Sequence, residues 1–293
     1  MEAERLAEVR NQIGNLLAPT ALSDAPMFAV SNATGAGLAA LRTHLYEAAA
    51  AVAGRSARGR FRLAVDRSFT LPGTGTVVTG TVLSGGIAVG DHVIVAPAGL
   101  AARVRAIHAQ NSVAEHGQAG DRCALNLAGE AITKDAISRG AVVIDPQLHA
   151  PASRIDAKLR VLGSEPRPIS QWMPGRLHHA ASEVGVRVVL LGDDPVPPGG
   201  EALVQLVLDK PIAAAIGDRF VLRDTTAQRT IGGGSFIDLR APARKRRTPE
   251  RFAQLAAGAI PDPEKSLSAL LDISGYLDFG NFVRDHALSA AER

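Results

Sequence analysis

From Phe61 to Leu239 the chain breaks into short runs in which apolar and polar residues alternate, with a turn signal about every ten residues. FRLAVD, GTVVTGTVL, DHVIVA, ARVRAIHA, RCALNLA and AVVI form a first series that ends near residue 144. A proline-bearing break, DPQLHAPAS at 145–153, separates it from RIDAKLRVL, VRVVLL, EALVQLVL, DRFVLRD and GGSFIDL. Alternation of period two puts one set of side chains on a core and the other in solvent, as a helix cannot. Many short strands at this spacing predict a sandwich or barrel, and here two β modules of roughly ninety residues each follow one another. Gly-Asp-Arg introduces a run in both modules, at 120–127 and 217–224. That is common turn chemistry, and three residues do not establish an internal repeat.

The flanks read differently. Before residue 55, Leu6, Val9, Ile13 and Leu16 lie at helical spacing, and so do Leu38, Leu41, Leu45 and Val52. Between these two predicted helices, over 2–17 and from 38 to about 53, PMFAVS at 26–31 reads as a buried strand. Helix, strand, turn, helix is the grammar of an open α/β sheet, but one and a half such units are too few to close a domain. AGRSARGR at 53–60 is a Gly/Ser/Arg linker. After the second β series, TPERFAQLA at 248–256 has a threonine N-cap, proline at the first helical position and glutamate in the first turn.

Within the first series, GTGTVVTG at 73–80 has the glycine content of a phosphate loop. A Walker-type loop needs lysine and then a hydroxyl residue after its last glycine, and Thr81 follows directly instead. Its β-branched residues alternate as a strand would, with Thr76, Val78 and Val82 on one face and Val77, Thr79 and Thr81 on the other. It reads as a strand entered through the turn pair Pro72-Gly73. RTIGGGSF at 229–236 also lacks the lysine, and reads as a tight turn or a close strand crossing.

No other catalytic or metal constellation is legible. His178 and His179 are adjacent, so on a strand they face opposite ways, with no nearby cysteine to complete a ligand set. The single cysteine, Cys123, lies in an apolar run and reads as core; alone it forms no internal disulfide, which suits a reducing compartment. No apolar run approaches the roughly 18–20 residues of a membrane span, and the polar N-terminus is no secretory signal. The hydrophobic fraction of 46% suits a chain with a real core, and a net charge of +3 is too mild to argue nucleic-acid binding by itself. The basic run RAPARKRR at 240–247 is either a solvated linker or an attractor of RNA backbone, and composition does not choose.

Several long motifs resemble translational GTPases related to elongation factor Tu. VDRSFTLPGTGTVVTGTVLSGGIAVGD, at 65–91, looks like their second domain, and GDRFVLRDTTAQRTIGGGSFID, at 217–238, like the closing strands of their third. RVRAIHAQNSVAEHGQAGDRCALNLAG and HHAASEVGVRVVLL resemble most closely the selenocysteine-specific elongation factors of bacteria (SelB). The likeness runs in order over about residues 1–250. It implies a mainly β chain: two consecutive Tu-like β-barrels at 59–146 and 152–242. Preceding them, 1–53 would be the α/β end of a truncated P-loop GTPase domain, and 248–293 the start of a helical, winged-helix region.

The resemblance also implies sites and partners. By motif position Asp66, Arg67 and Arg122 would line a basic pocket for the selenocysteyl group of the tRNA. Two guanidiniums favour a selenolate, ionised near pH 7, over a neutral serine hydroxyl, with Asp66 orienting Arg67 and moderating the repulsion between the arginines. Without the resemblance, Asp66 and Arg67 read as surface ion pairs worth little. AVSNATGAG at 29–37 resembles the guanine-recognition loop, in which backbone amides read the base, so Ser31, Asn32 and Ala33 would be its remnant; Asn32 stands where alanine is usual. Read without the family it is a strand-to-helix turn. The phosphate loop and the magnesium and Asn-Lys-x-Asp motifs would lie upstream of Met1, and the winged helices that bind the mRNA hairpin downstream. GTP and magnesium are thus expected in the full-length family but not bound tightly by this chain, which should not hydrolyse GTP alone and has no catalytic or metal residue to name. Selenocysteyl-tRNA, the ribosome and a selenoprotein mRNA hairpin are the implied partners, in the cytoplasm and without a membrane. A Tu-like factor with another cargo, or a split-gene remnant, is the alternative.

Overall fold

The computed structural model describes residues 3–51, 58–192, 195–289 and 292. Two compact units divide the chain, Met1–Arg55 and Ser56–Arg293. In the first, α1 (Ala3–Leu17) and α2 (Leu38–Ala51) form where the helical spacing predicts them. Neither has a buried residue. The strand expected at 26–31 does not form, because a strand needs a hydrogen-bonding neighbour and no described residue supplies one. The expected end of the second helix, from Val52 to Ala53, and most of the 53–60 linker lie outside the described residues.

The second unit opens with β1 (Arg62–Leu71), β2 (Gly75–Ser84), β3 (Gly86–Ala88), β4 (His92–Ala96), β5 (Leu100–Ala109), β6 (Ser112–Ala114), β7 (His116–Gln118), β8 (Arg122–Ala128) and β9 (Val142–Ile144). Strands β4-β9-β1-β2-β8-β5 close on themselves through a β4–β5 pairing, giving a six-stranded barrel with β6 appended to β5. Leu63, Val65, Val78, Val82, Val104, Cys123 and Leu125 fill its interior, so the alternation read in the sequence is the inside and outside of this barrel. GTGTVVTG forms the turn and first half of β2, and Gly73 and Gly75, at φ +75° and +93°, make that turn.

A second closed barrel has the order β10-β13-β12-β11-β14-β15. Its strands are β10 (Ala152–Val161), β11 (Met173–His179), β12 (Ser182–Leu190), β13 (Glu201–Ile212), β14 (Arg219–Arg223) and β15 (Thr230–Asp238). The three glycines of RTIGGGSF are a close crossing and not a turn. They lie within β15, where a Cβ on Gly232 or Gly234 would collide with the backbone oxygens of Arg160 or Lys158.

The two Gly-Asp-Arg turns are built alike. Asp121 accepts a hydrogen bond from the Gln118 amide at 2.9 Å, and Asp218 from the Ala215 amide at 2.8 Å, each after a glycine in the left-handed region. Asp218 does more: it takes two hydrogen bonds from Arg62, at 2.7 and 2.9 Å, and meets His179 Nε2 at 2.9 Å. That buried knot ties β1 of the first barrel to the second. Burial would raise the Asp218 carboxyl pKa, but His179 and Arg62 outweigh it and hold the group below the carboxylate range.

Three short helices follow, α3 (Pro249–Gly258), α4 (Pro263–Ser274) and α5 (Phe279–Asp285). Thr248 caps α3, accepting from the Arg251 amide at 3.2 Å, as its sequence announces. Leu255 packs on Leu191 and Ile237, while Arg251 spans Asp156 and Asp238 at 2.5 Å each. At the far end Asp285 accepts from Arg240 and from the Ile216 amide, and the Ala287 carbonyl from the Arg60 amide. The helical segment thus grips both barrels.

Candidate functional site

A β-bulge builds the site. Val65 pairs with Gly80 and Arg67 with Thr79, so Asp66 is an extra residue in β1. Strict alternation from the buried Val65 would turn Arg67 toward the core. The inserted residue resets the phase, and Asp66 and Arg67 both face outward. Gly80 is required opposite, because a Cβ there would strike the Ala64 backbone and Leu63.

Across β2, Arg122 opens β8 and turns its guanidinium onto Asp66, with Nη1 2.5 Å from Oδ2 and Nη2 3.1 Å from Oδ1. Thr79 donates to Asp66 Oδ1 at 2.8 Å. The Arg122 hydrogen bonds lower the Asp66 pKa most; partial burial opposes them, and Thr79 and Arg67 reinforce them. The structure therefore corrects one expectation: Asp66 holds Arg122 and makes no hydrogen bond to Arg67. The bulge is the reason, since it aims the carboxylate toward β8. The Arg67 guanidinium is exposed and makes no hydrogen bond among the described residues. Two cations and one anion leave the site a single positive charge.

Beside Arg122 lies a groove of about 380 Å³ on the outer face of the barrel. Phe69, Val77, Ala106 and Ala124 give it apolar walls, and His108 and Asn126 supply polar edges. Asn126 donates to the Thr74 carbonyl at 2.9 Å, while its own Oδ1 is buried without a partner. Sequence reasoning missed Thr79 and these walls. The outward phase of Val77 and Thr79 was readable, but not that β8 and β5 continue that surface. Cys123 points the other way, into the core, and burial with the nearby Asp121 pushes its thiol up to about 11, which keeps it un-ionised.

In the first unit, Ser31 accepts from the Thr34 amide through Oγ at 3.3 Å and from the Gly35 amide through its carbonyl at 2.8 Å. The amides of Asn32 and Ala33 make no hydrogen bond among the described residues. Also among those residues, no three His, Cys, Asp or Glu side chains gather as metal ligands. His179 is committed to Asp218 and lies on the opposite face of β11 from His178. No described helix is long and apolar enough to cross a membrane.

Tandem six-stranded barrels joined by a short connection, with a groove of apolar walls and polar edges on the first, make this a tandem β-barrel protein. Residues 156–243 match the family model described as selenocysteine-specific elongation factor, β-barrel domain. The selenocysteine-specific elongation factor of Escherichia coli is 38% identical over 88% of this chain and 39% of its own length, and that of Desulfomicrobium baculatum 32% over 92% and 42%. In fold, the chain is similar throughout to a crystal structure of bacterial selenocysteine-specific elongation factor EF-Sec, with a TM-score of 0.80 at 19% identity over 47% of that chain. Over about nine-tenths of its own length the chain is thus a relative of the selenocysteine-specific elongation factors. It spans about two-fifths of the length of the curated relatives it matches.

Proposed function

We propose that the chain is the barrel portion of a factor that carries selenocysteyl-tRNA, and that the outer groove of the first barrel takes the aminoacyl end. The bulge at Asp66 carries this reading, because it turns two charged residues outward beside Arg122 at the mouth of an apolar groove. Arg67, which makes no hydrogen bond among the described residues, is the principal cation for a selenolate. Arg122 supplies a second, held in place by Asp66 and Thr79. Serine brings a neutral hydroxyl, which gains less from the net positive charge, and the preference follows from that difference.

In the same reading 59–146 and 152–242 are the second and third domains of the factor, 1–53 ends its GTP-binding domain, and 248–293 begins the winged-helix region. The free amides of Asn32 and Ala33 would face the guanine base. GTP, magnesium, the ribosome, the mRNA hairpin and a cytoplasmic site of action belong to the whole factor.

The test is protection of selenocysteyl-tRNA from spontaneous deacylation by the chain, with seryl-tRNA as comparison. Arg67→Ala and Arg122→Ala should each lower protection about ten-fold, the worth of one charge-assisted hydrogen bond. Protection equal to the parent in both variants sinks the assignment, and equal protection of both tRNAs points to a factor with another cargo.

A further inference from the structure

The basic run at 240–247 is no free linker. The Pro242 carbonyl accepts from Gln205 Nε2 at 3.0 Å, and Arg246 donates to Gln205 Oε1 at 3.1 Å. Gln205 is fully buried on β13, so it staples this segment along the outside of the second barrel. Arg246 Cζ thereby comes to rest 5.6 Å from the ring centroid of Trp172.

Trp172 is presented with unusual care. Gln171 mimics a strand residue, donating to the Leu190 carbonyl at 3.1 Å and accepting from the Leu190 amide at 2.7 Å. The turn this creates leaves Trp172 at φ 64°, a conformation bulky residues avoid, with the residue 46% exposed. Core packing does not explain a strained tryptophan held in solvent.

The surroundings are cationic. Arg187 and Arg154 both pair with Val207 from opposite sides, so they share one outward face of β12, β13 and β10. Arg154 donates to Gln205 Oε1 at 3.0 Å, while exposed Arg187 makes no ion pair among the described residues. Arg244 and Lys245 of the stapled segment are exposed as well. Asp156, on the same face, is consumed by Arg251 and Gln205, which leaves Asp209, further along β13, as the exposed acid without an ion pair on this face among the described residues.

We infer that Trp172, Arg246, Arg187, Arg244 and Lys245 form a binding platform for single-stranded RNA, a base stacking on the indole while the cations take the flanking phosphates. A flat ring under a guanidinium is the geometry of a base-stacking site, and cations without an ion pair among the described residues suit a phosphodiester backbone. The platform lies on the second barrel, is built from none of the groove residues, and does not rest on the aminoacyl assignment.

Trp172 is the chain's one tryptophan, so its fluorescence reports this site alone. Titrating the chain with a single-stranded oligouridylate should quench that emission saturably. Affinity should fall roughly ten-fold in Trp172→Ala by anisotropy of labelled RNA, with Trp172→Phe largely restoring it. Arg187→Ala and Lys245→Ala should each reduce the slope of log affinity against log salt by about 0.7, the signature of one lost single-strand phosphate contact. Arg67→Ala and Arg122→Ala should leave the quench intact. Unchanged emission, equal binding by parent and Trp172→Ala, an equal quench by an acidic polypeptide, or loss of the quench in the groove variants would each overturn the proposal.

Discussion

At the scale of single residues, the most consequential group outside the groove is Asp218. It satisfies Arg62, His179 and the Ala215 amide together, at the seam between the barrels. The Arg62 and His179 side chains are only 12% and 4% exposed, so removing the carboxylate strands polar groups away from water. Asp218→Asn should cost about 3–5 kcal/mol, read as a lower urea midpoint at unchanged slope. The pH dependence has a definite sign. The folded carboxyl titrates below its unfolded value, so its stabilisation is complete above about pH 4 and is lost as pH falls toward the folded value. Below about pH 4 the parent should therefore lose stability more steeply than Asp218→Asn, and equal slopes in acid would refute the linkage.

At the scale of elements, the GGG run of β15 makes a sharp prediction. A methyl at Gly234 would meet the Lys158 backbone and the Phe220 ring, neither of which can step aside within a closed barrel. Gly234→Ala should lower the melting temperature more than Gly73→Ala. The latter sits at φ +75° in open space and costs only the left-handed penalty of roughly 1–2 kcal/mol. Equal melting temperatures would mean the strands separate freely. The same strands show what could be read beforehand. Period-two alternation in ARVRAIHA and RCALNLA is local, and it predicted β5 and β8 well. Register is not local: nothing in VDRSF announces that Asp66 is an inserted residue, since the bulge exists only against Gly80 and Thr79. The candidate residues were thus legible by resemblance, while their wiring, Asp66 to Arg122 and not to Arg67, was not. Likewise the composition of RAPARKRR carried no hint of Gln205, which lies far away in sequence and fixes the run in place.

At the scale of the whole molecule, burial is distributed unevenly between the two units. The barrels and the helices on them share closed ladders and extensive cores, whereas α1 and α2 have 15 and 14 residues and bury none of them. Helices of about that length are marginal in water unless an apolar face is covered, since propagation scarcely repays nucleation. Leu16 and Leu45, at 73% and 57% exposed, leave those faces in solvent here. The turn at Ser31–Gly37 adds only a few local hydrogen bonds, with Gly37 forced by its approach to the Ala29 carbonyl. Hydrogen exchange followed by mass spectrometry should therefore find 3–51 exchanging within about a hundred-fold of coil rates. The strands of β10, β12 and β13 should be protected to the level of global unfolding. Titration with urea should remove helical signal before the barrels melt, giving two transitions in place of one. A single cooperative transition, with α1 and α2 as protected as β13, would show that these helices draw stability from packing that their exposed leucines do not reveal.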